Sequence, residues 1–412
     1  MEIVTVIIYI SIYIGLISTT FYALSFIAGQ KKERLLYTDK ELEKIKVSVV
    51  IPAYNEEESI ARTLKSILKT NYPNFEIIVV DDGSKDRTLE IAKKFEGAQV
   101  RVFTKKNSGK GAALNLGIKK AKGEIVFTMD ADTTVHPDSM KKMVRYFKDK
   151  TVMSSTPAMV INNPETIWQR IQYMELAMGL FLRKSFAALR AVYVAPGAFA
   201  AYRKWFFDKY GGYDEHNITE DLEMGLRIQA LGFHTENCPE APAYTDGPRT
   251  FMALTRQRRR WYFGHIKNLW NYRRLISPKY GDMGAFVIPT SLLSTLLSII
   301  ILIFLCFKVL FELRDNIIFL QNINFDIPSA FNFNLYVIER LLFLFFSKPE
   351  ILFTLCFMVI LGMYTIYATK KIGKSPLLIL NLILFFIAFA TIYGFWWIIS
   401  IFQSLTKKTI KW

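Results

Sequence analysis

Long apolar runs at both ends of the sequence are the feature that most limits which folds this chain can form. Residues 3–29 carry no charged side chain, and further apolar runs cover 285–307, 351–368 and 376–402. About 20 apolar residues suffice for an α-helix to cross a bilayer. We therefore predict membrane helices at both ends and a different kind of domain between them.

The first apolar run has two interpretations, an uncleaved anchor and a cleaved signal peptide. A signal peptide carries its positive charge before a shorter apolar core. Here Glu2 precedes the run, and the basic residues Lys31, Lys32 and Arg34 follow it. This order favours an anchor, and the excess of basic residues on cytoplasmic flanks then places the following domain in the cytoplasm.

The topology of the C-terminal part stays open at this stage. Lysines flank the last apolar run on both sides, within 370–374 and 407–411, and both flanks cannot lie inside. The shorter stretch 331–346 carries Glu339 and Arg340 and suits an interfacial, re-entrant or lumenal segment equally.

Composition excludes several classes of protein. The net charge is +16 and 51% of the residues are hydrophobic, whereas a disordered basic chain would lack the apolar content. The three cysteines are scattered, so no disulfide framework or Cys-x-x-Cys metal site is predicted. A basic, aromatic segment at 247–281 adjoins an apolar run, which favours the lipid headgroup layer over nucleic acid.

Between the apolar ends, short apolar runs alternate with amphipathic stretches. Such alternation predicts an α/β domain with a parallel sheet covered on both faces. The predicted strands are 47–51, 76–80, 100–103 and 125–129, and the predicted helices between them are 59–70, 87–96 and 112–121.

Acidic residues follow three of the predicted strands. Glu56 follows the first strand, Asp81 and Asp82 the second, and Asp130 and Asp132 a later one. Ligands of parallel α/β sheets bind beyond the carboxyl ends of the strands, so these loops should meet at one cleft. Two aspartates separated by one residue suit Mg²⁺ or Mn²⁺, although aspartates also favour ordinary solvated turns.

Two further segments have both a chemical and a purely structural interpretation. The segment 107–111 opens a predicted helix with small residues and Lys110, which suits an anion or a simple turn; it lacks the spacing of a Walker loop. Thr219 precedes Glu220 and Asp221 and suits a helix cap. Alternatively, Asp221 is a general base that accepts a proton from an acceptor hydroxyl.

The basic segment contains one helix face with mixed chemistry. Gln257, Arg260 and Trp261 are spaced at i, i+3 and i+4, so a helix presents them together. An amide, a guanidinium and an indole on one face suit a diphosphate and a stacked sugar ring.

Taken together, these motifs resemble the processive, membrane-embedded family-2 glycosyltransferases, which include the synthases of cellulose, chitin, hyaluronan and poly-N-acetylglucosamine. The segment 196–213 looks most similar to the poly-N-acetylglucosamine synthases. The ordered motifs that carry the resemblance are Asp81-Asp82-Gly83, Asp130-Ala131-Asp132, Thr219-Glu220-Asp221 and Gln257-Arg258-Arg259-Arg260-Trp261.

The resemblance implies an α/β GT-A (Rossmann-like) domain in the cytoplasm, flanked by transmembrane α-helices. It also implies a role for each motif: Asp221 as catalytic base, and Asp130 and Asp132 as ligands of Mg²⁺ or Mn²⁺, with Asp132 the better candidate. The implied nucleotide-sugar site comprises Ala53, Tyr54, Glu56, Asp81, Asp82, Lys110 and Asp130, and the implied acceptor and diphosphate site comprises Glu220, Gln257, Arg260 and Trp261.

The expected function is an inverting, processive transfer of sugar from a UDP-sugar, with UDP-N-acetylglucosamine favoured, onto a growing polysaccharide that is exported through the membrane helices. The alternatives are transfer of one sugar to a polyprenyl or dolichyl phosphate, and a membrane module without catalysis. Expected partners are membrane lipids and, still open, an accessory subunit, but not nucleic acid.

The expected location is the cell membrane, with several passes and a cytoplasmic catalytic domain. The expected divisions are 1–30 (membrane helix), 31–248 (GT-A domain), 249–283 (interfacial helices) and 284–412 (membrane region).

Overall fold

The computed structural model describes residues 2–31, 35–323, 325, 338–340, 342–343, 349–373, 377–388 and 392–406. Several features used in the sequence analysis lie outside these residues. They are Lys32, Arg34, Lys374, the lysines within 407–411 and most of the stretch 331–346.

A mixed eight-stranded sheet forms the centre of the α/β domain. The strands are β1 (Val47–Ala53), β2 (Phe75–Asp81), β3 (Val100–Thr104), β4 (Ile125–Met129), β5 (Thr134–Val135), β6 (Val152–Ile161), β7 (Phe199–Arg203) and β8 (His234–Thr245). Their order across the sheet is β3-β2-β1-β4-β7-β6-β8-β5.

The four strands predicted from the sequence are present and pair in parallel as predicted, but the sheet extends beyond them with antiparallel neighbours. Strands β1 to β4 pair in parallel. Beyond β4 the strand β7 inserts in the antiparallel sense, and it pairs with β6 in the same sense. Further along, β6 pairs with β8 in parallel and β8 pairs with β5 in the antiparallel sense, so this half of the sheet is mixed.

Helices surround the sheet and extend beyond it on one side. They are α1 (Glu2–Lys31), α2 (Asp39–Leu42), α3 (Ile60–Leu68), α4 (Thr88–Lys93), α5 (Lys110–Lys120), α6 (Ser139–Val144), α7 (Ile167–Ala188), α8 (Lys204–Tyr210), α9 (Glu220–Ala230), α10 (Phe251–Asn271) and α11 (Ile288–Asn322), followed by Pro349–Ile372, Leu378–Ala388 and Gly394–Leu405. The last of these is called the C-terminal helix below.

The two faces of the sheet belong to two separate apolar cores. Val47, Val49 and Ile51 of β1 pack on one face, whereas Val50 packs on the other. Side chains alternate between the faces of a strand, so a continuous apolar strand such as β1 fills both cores. All seven residues of β1 are buried, as expected for a central parallel strand.

Two helices in the described part of the chain are long and apolar enough to cross a membrane, Val6–Gln30 and Met283–Asn322. The second exposes large apolar side chains, with Leu296 54% and Leu310 63% exposed. Within the span predicted at 376–402, the structure describes the helices Leu378–Ala388 and Gly394–Leu405, and residues 389–391 between them lie outside the described residues.

A third apolar core joins these outer helices to the α/β domain. It contains side chains of α1, α7 and α10 together with Tyr364 and Trp396 from the C-terminal region. Phe181 of α7 stacks on Tyr364 with ring centroids 3.5 Å apart. Helix α7 therefore contacts both the sheet and the apolar helices.

Candidate active site

A cavity of about 960 Å³ lies at the carboxyl ends of β1, β2 and β4. This is the edge at which the strand-end carboxylates were expected to meet. Eight of the side chains predicted from the sequence line it: Ala53, Tyr54, Glu56, Asp82, Lys110, Asp130, Asp132 and Arg260.

The two neighbouring aspartates after β2 have different surroundings. Asp81 accepts hydrogen bonds from the amide of Gly83 and, at 3.0 Å, from Thr104 Oγ1, so it braces its own turn. It does not line the cavity, whereas Asp82 does. The resemblance implies both aspartates for the nucleotide-sugar site, and the geometry favours Asp82.

Asp82 also fixes the loop that precedes α5. Its carboxylate accepts hydrogen bonds from Ser108 N at 3.1 Å, Gly109 N at 2.8 Å and Lys105 Nζ at 2.9 Å. The carboxylate is 5% exposed and each partner is a donor, so its charge is matched locally. The loop that carries Lys110 into the cavity is thus tied to the end of β2.

Lys110 is the first residue of α5 and joins two of the acidic motifs. Its Nζ lies 2.6 Å from Asp130 Oδ1 and 3.4 Å from Glu220 Oε1. Burial alone would lower the pKa of Lys110, but Asp130, Glu220 and Asp221 together raise it above its ordinary value. The lysine therefore stays charged and can meet an anion in the cavity.

Glu220 is nearly fully buried beside this lysine. Burial raises the pKa of Glu220, and Lys110 partly offsets that increase. Glu220 is 4% exposed and does not line the cavity, so the structure places it behind Lys110.

Asp132 lies in surroundings that disfavour a negative charge. Burial, followed by the nearby charges of Asp130 and Glu56, raises the pKa of Asp132 to about 7. Burial also raises the pKa of Glu56, although a hydrogen bond from Ser59 opposes this. Lys110 opposes the rise in pKa at Asp132 and Arg62 opposes it at Glu56, but burial and the neighbouring carboxylates outweigh both cations, so a further cation would be favourable here.

The donor set fits a divalent cation that arrives with a phosphate. Among the described residues, no group of three or more His, Cys, Asp or Glu side chains is arranged to hold a metal alone. Mg²⁺ is usually held by one or two carboxylates, with substrate phosphates and water completing its ligands. Asp132 and, beside it, Asp130 supply carboxylates of that kind at the cavity wall.

Asp221 lies in the first turn of α9 and is held by two backbone amides. Its Oδ2 accepts from Gly197 N at 2.9 Å and its Oδ1 from Leu222 N at 2.8 Å. A Cβ at position 197 would lie 2.7 Å from that Oδ2, so only glycine allows the contact. Asp221 is not among the lining residues, but its charge raises the pKa of Lys110, which lines the cavity.

The predicted cap of α9 is confirmed in position but not in its hydrogen bond. Helix α9 begins directly after Thr219, with Glu220 and Asp221 in its first turn. The hydroxyl of Thr219 makes no cap bond and instead accepts from Asn268 Nδ2 at 2.9 Å. Thr219 is therefore used to join α9 to α10.

The predicted helix face on α10 is only partly at the cavity. Arg260 lines it, whereas Gln257 and Trp261 do not. Trp261 remains 37% exposed, and Gln257 Oε1 is buried without a hydrogen-bond partner in the described part of the chain.

The sequence analysis missed a buried polar network between the cavity and α10. Asn217 lines the cavity and donates to Asn268 Oδ1 at 2.7 Å, and Asn268 also reaches Thr219. Asn268 and Gly264 follow Trp261 at i+7 and i+3, so the helical spacing could have placed all three near one face. A Cβ at Gly264 would lie 2.2 Å from Thr219 Oγ1, so this glycine allows the two helices to meet.

Comparison with known proteins agrees with this geometry. Residues 48–211 match the family described as "Glycosyl transferase family 2". The poly-beta-1,6-N-acetyl-D-glucosamine synthase of Staphylococcus epidermidis is 32% identical over 262 residues, which cover 62% of this chain and 63% of that protein. The probable glycosyltransferase YdaM of Bacillus subtilis is 33% identical over 242 residues, which cover 55% of this chain and 56% of that protein.

One solved structure shares the fold over most of the chain. It is the mannosyltransferase PcManGT from Pyrobaculum calidifontis, with a TM-score of 0.56 and 19% identity, and the match covers 89% of this chain and 98% of that one. The curated relatives are matched over less than two thirds of their length. The chain is homologous to the poly-beta-1,6-N-acetyl-D-glucosamine synthases, and it contains a GT-A fold with a glycosyl transferase family 2 domain.

Proposed function

We propose that the protein is an inverting glycosyltransferase that uses a UDP-sugar. The observation that carries this proposal is the convergence of Asp82, Lys110, Asp130 and Asp132 on one cavity, with Asp221 near enough for its charge to act on Lys110. A cavity of about 960 Å³ is large enough for a nucleotide sugar. Asp130 and Asp132 thus provide negative charge for a metal bound to phosphate, and Lys110 provides positive charge for the departing diphosphate.

In this proposal the chain's own residues divide the chemistry. Asp221 accepts the proton of the acceptor hydroxyl as that oxygen attacks the anomeric carbon, and the bond to the diphosphate breaks on the opposite face. The two amides that donate to Asp221 fix the position of its carboxylate. Lys110 and Arg260 line the cavity and stabilise the departing diphosphate.

A divalent cation completes the proposed donor site. Asp132 would hold it, with Asp130 beside it, and its charge would offset that of the diphosphate when bound. The raised pKa of Asp132 supports this assignment, because a carboxylate that resists its own charge gains most from a cation.

The sugar and product are proposed from the relatives. Proteins named poly-beta-1,6-N-acetyl-D-glucosamine synthase are 32% identical to this chain, so we propose UDP-N-acetylglucosamine as donor and a polysaccharide as product. The glutamine, arginine and tryptophan of α10 would hold the acceptor end, with Glu220 supporting Lys110.

The same proposal places the protein in the cell membrane with its α/β domain in the cytoplasm. Two long apolar helices flank that domain, and the exposed apolar side chains of α11 need a lipid surface or a partner. The helices next to α7 and α10 would then carry the product outward.

Product analysis tests the proposal. Purified protein in lipid would be incubated separately with radiolabelled UDP-N-acetylglucosamine, UDP-glucose and UDP-glucuronate, and each product sized. We expect a long polymer from UDP-N-acetylglucosamine. A single labelled sugar in the lipid extract would favour transfer to a lipid phosphate, and no UDP release from any donor would contradict the enzyme assignment.

A further inference from the structure

Arg258 is a fully buried arginine inside the motif that begins at Gln257. Its residue is 2% exposed, although both neighbours in the sequence are more exposed. It donates to Glu175 of α7 through both terminal nitrogens, Nη1 to Oε1 at 3.0 Å and Nη2 to Oε2 at 2.6 Å. A two-point ion pair of this kind fixes the plane of the guanidinium as well as its position.

The fixed guanidinium covers one face of the tryptophan of the same motif. The Cζ of Arg258 lies 4.4 Å from the ring centroid of Trp261, one helical turn further along α10. A guanidinium at this distance attracts the ring electrostatically and restricts its rotation. Trp261 is still 37% exposed, so the indole keeps free surface on which a sugar can stack.

The ion pair joins α7 to α10 close to the C-terminal helix. Glu175 belongs to α7 and Arg258 to α10, and the guanidinium lies 5.9 Å from the ring centroid of Tyr393, next to the C-terminal helix. Tyr262 of α10 stacks on Trp397 of the C-terminal helix with centroids 4.5 Å apart. The indole is therefore oriented by the contact between the α/β domain and the outer helices.

A lysine cannot replace Arg258 in both contacts. Lysine is a point charge without a plane, so it can meet Glu175 or lie over the ring, but it does not bridge a carboxylate in two places while it stacks.

We propose that Arg258, held by Glu175, is a positioning residue that sets the indole of Trp261 in the orientation that binds the acceptor sugar. This inference rests on the proposed function, because it needs an acceptor at Trp261. Arg258 itself touches neither donor nor acceptor, and it acts through the ring.

The test is a double-mutant cycle on binding rather than on turnover. The affinities of UDP and of an N-acetylglucosamine oligosaccharide, the latter with UDP present, are measured for the native protein, Arg258→Lys, Trp261→Leu and the double variant. Arg256→Lys is the matched control, since Arg256 is exposed on the same helix two residues earlier. Thermal unfolding checks that every variant is folded.

We expect Arg258→Lys to weaken oligosaccharide binding about tenfold, the size of one good cation–π contact, without changing the affinity of UDP. In the Trp261→Leu background the same change should cost nothing further, because coupled residues are not additive. Arg256→Lys should bind like the native protein.

Three results would overturn the inference. They are native affinity in Arg258→Lys, additive losses in the double variant, and a native protein that binds UDP but no oligosaccharide. Failure of the native protein to bind UDP at all would instead overturn the proposed function.

Discussion

The two sides of the candidate active site are built by different means. On the donor side, loops at strand ends place Asp82 and Asp132 at the cavity, and backbone amides of Ser108 and Gly109 hold the carboxylate of Asp82. On the acceptor side, α10 is held by contacts between helices that are far apart in sequence, such as Arg258 with Glu175. Chemistry on the donor side therefore depends on individual charges, whereas the acceptor side depends on packing.

We expect the largest effect on turnover from a change at Asp221, the proposed base between the donor and the acceptor. Asp221→Asn keeps the size of the side chain but cannot accept a proton, so we expect turnover to fall about a thousandfold or more while UDP binding is unchanged. The measurement is UDP release together with UDP affinity. Asp208→Asn is the control, because that side chain is 57% exposed on α8. Undiminished turnover in Asp221→Asn would remove Asp221 as the base.

The second prediction tests whether Asp132 holds a metal ion on the donor side. We expect Asp132→Asn to weaken UDP binding about a hundredfold when Mn²⁺ is present, because a metal-holding carboxylate is lost. In excess EDTA the native protein and the variant should bind UDP equally weakly. Native affinity that is unaffected by EDTA would contradict the metal assignment at Asp132.

The third prediction tests whether the acceptor side depends on close packing of α9 against α10. In Gly264→Ala the new methyl would lie 2.2 Å from Thr219 Oγ1, so α9 and α10 must separate. We expect a loss of about 2 kcal/mol in the free energy of unfolding, although alanine alone favours a helix. Gly97→Ala is the control, because nothing lies within 4 Å of that position. Thermal unfolding measures both, and a more stable Gly264→Ala protein would contradict the close contact.

The smallest expected effect is on the pH dependence of stability, and it comes from His265 of α10. Burial lowers the pKa of His265 to about 4, from 6.5. Between these pH values the unfolded chain binds the proton and the folded chain does not, so stability decreases as pH falls through this window. We expect a loss of about 1 kcal/mol at pH 5.5 relative to pH 8. His265→Phe should lose less, and equal pH profiles from thermal unfolding would show that His265 is not the group responsible.

The donor side could be predicted from the sequence because its signals are local. Each predicted strand from 47 to 129 is present, and the carboxylates that follow β1, β2 and β4 meet at one edge. The exception is Asp81, whose turn-bracing role depends on Thr104 of the next strand. Sequence spacing alone does not reveal such a partner.

The acceptor side and the second half of the sheet could not be predicted in the same way. The antiparallel insertion of β7 between β4 and β6 joins segments about 50 to 75 residues apart, for which no local pattern exists. The partners Glu175 of Arg258 and Asn217 of Asn268 are likewise distant in the chain. Helical spacing places Gln257, Arg260 and Trp261 near one another, but only tertiary contacts decide that Arg260 alone of the three lines the cavity.

The most direct test of the central claim is electron cryomicroscopy of the protein in lipid with UDP and Mn²⁺. We expect density for the nucleotide between the ends of β1, β2 and β4, with the metal against the carboxylate of Asp132. Nucleotide density elsewhere on the protein, with that cavity empty, would contradict the assignment of the donor site.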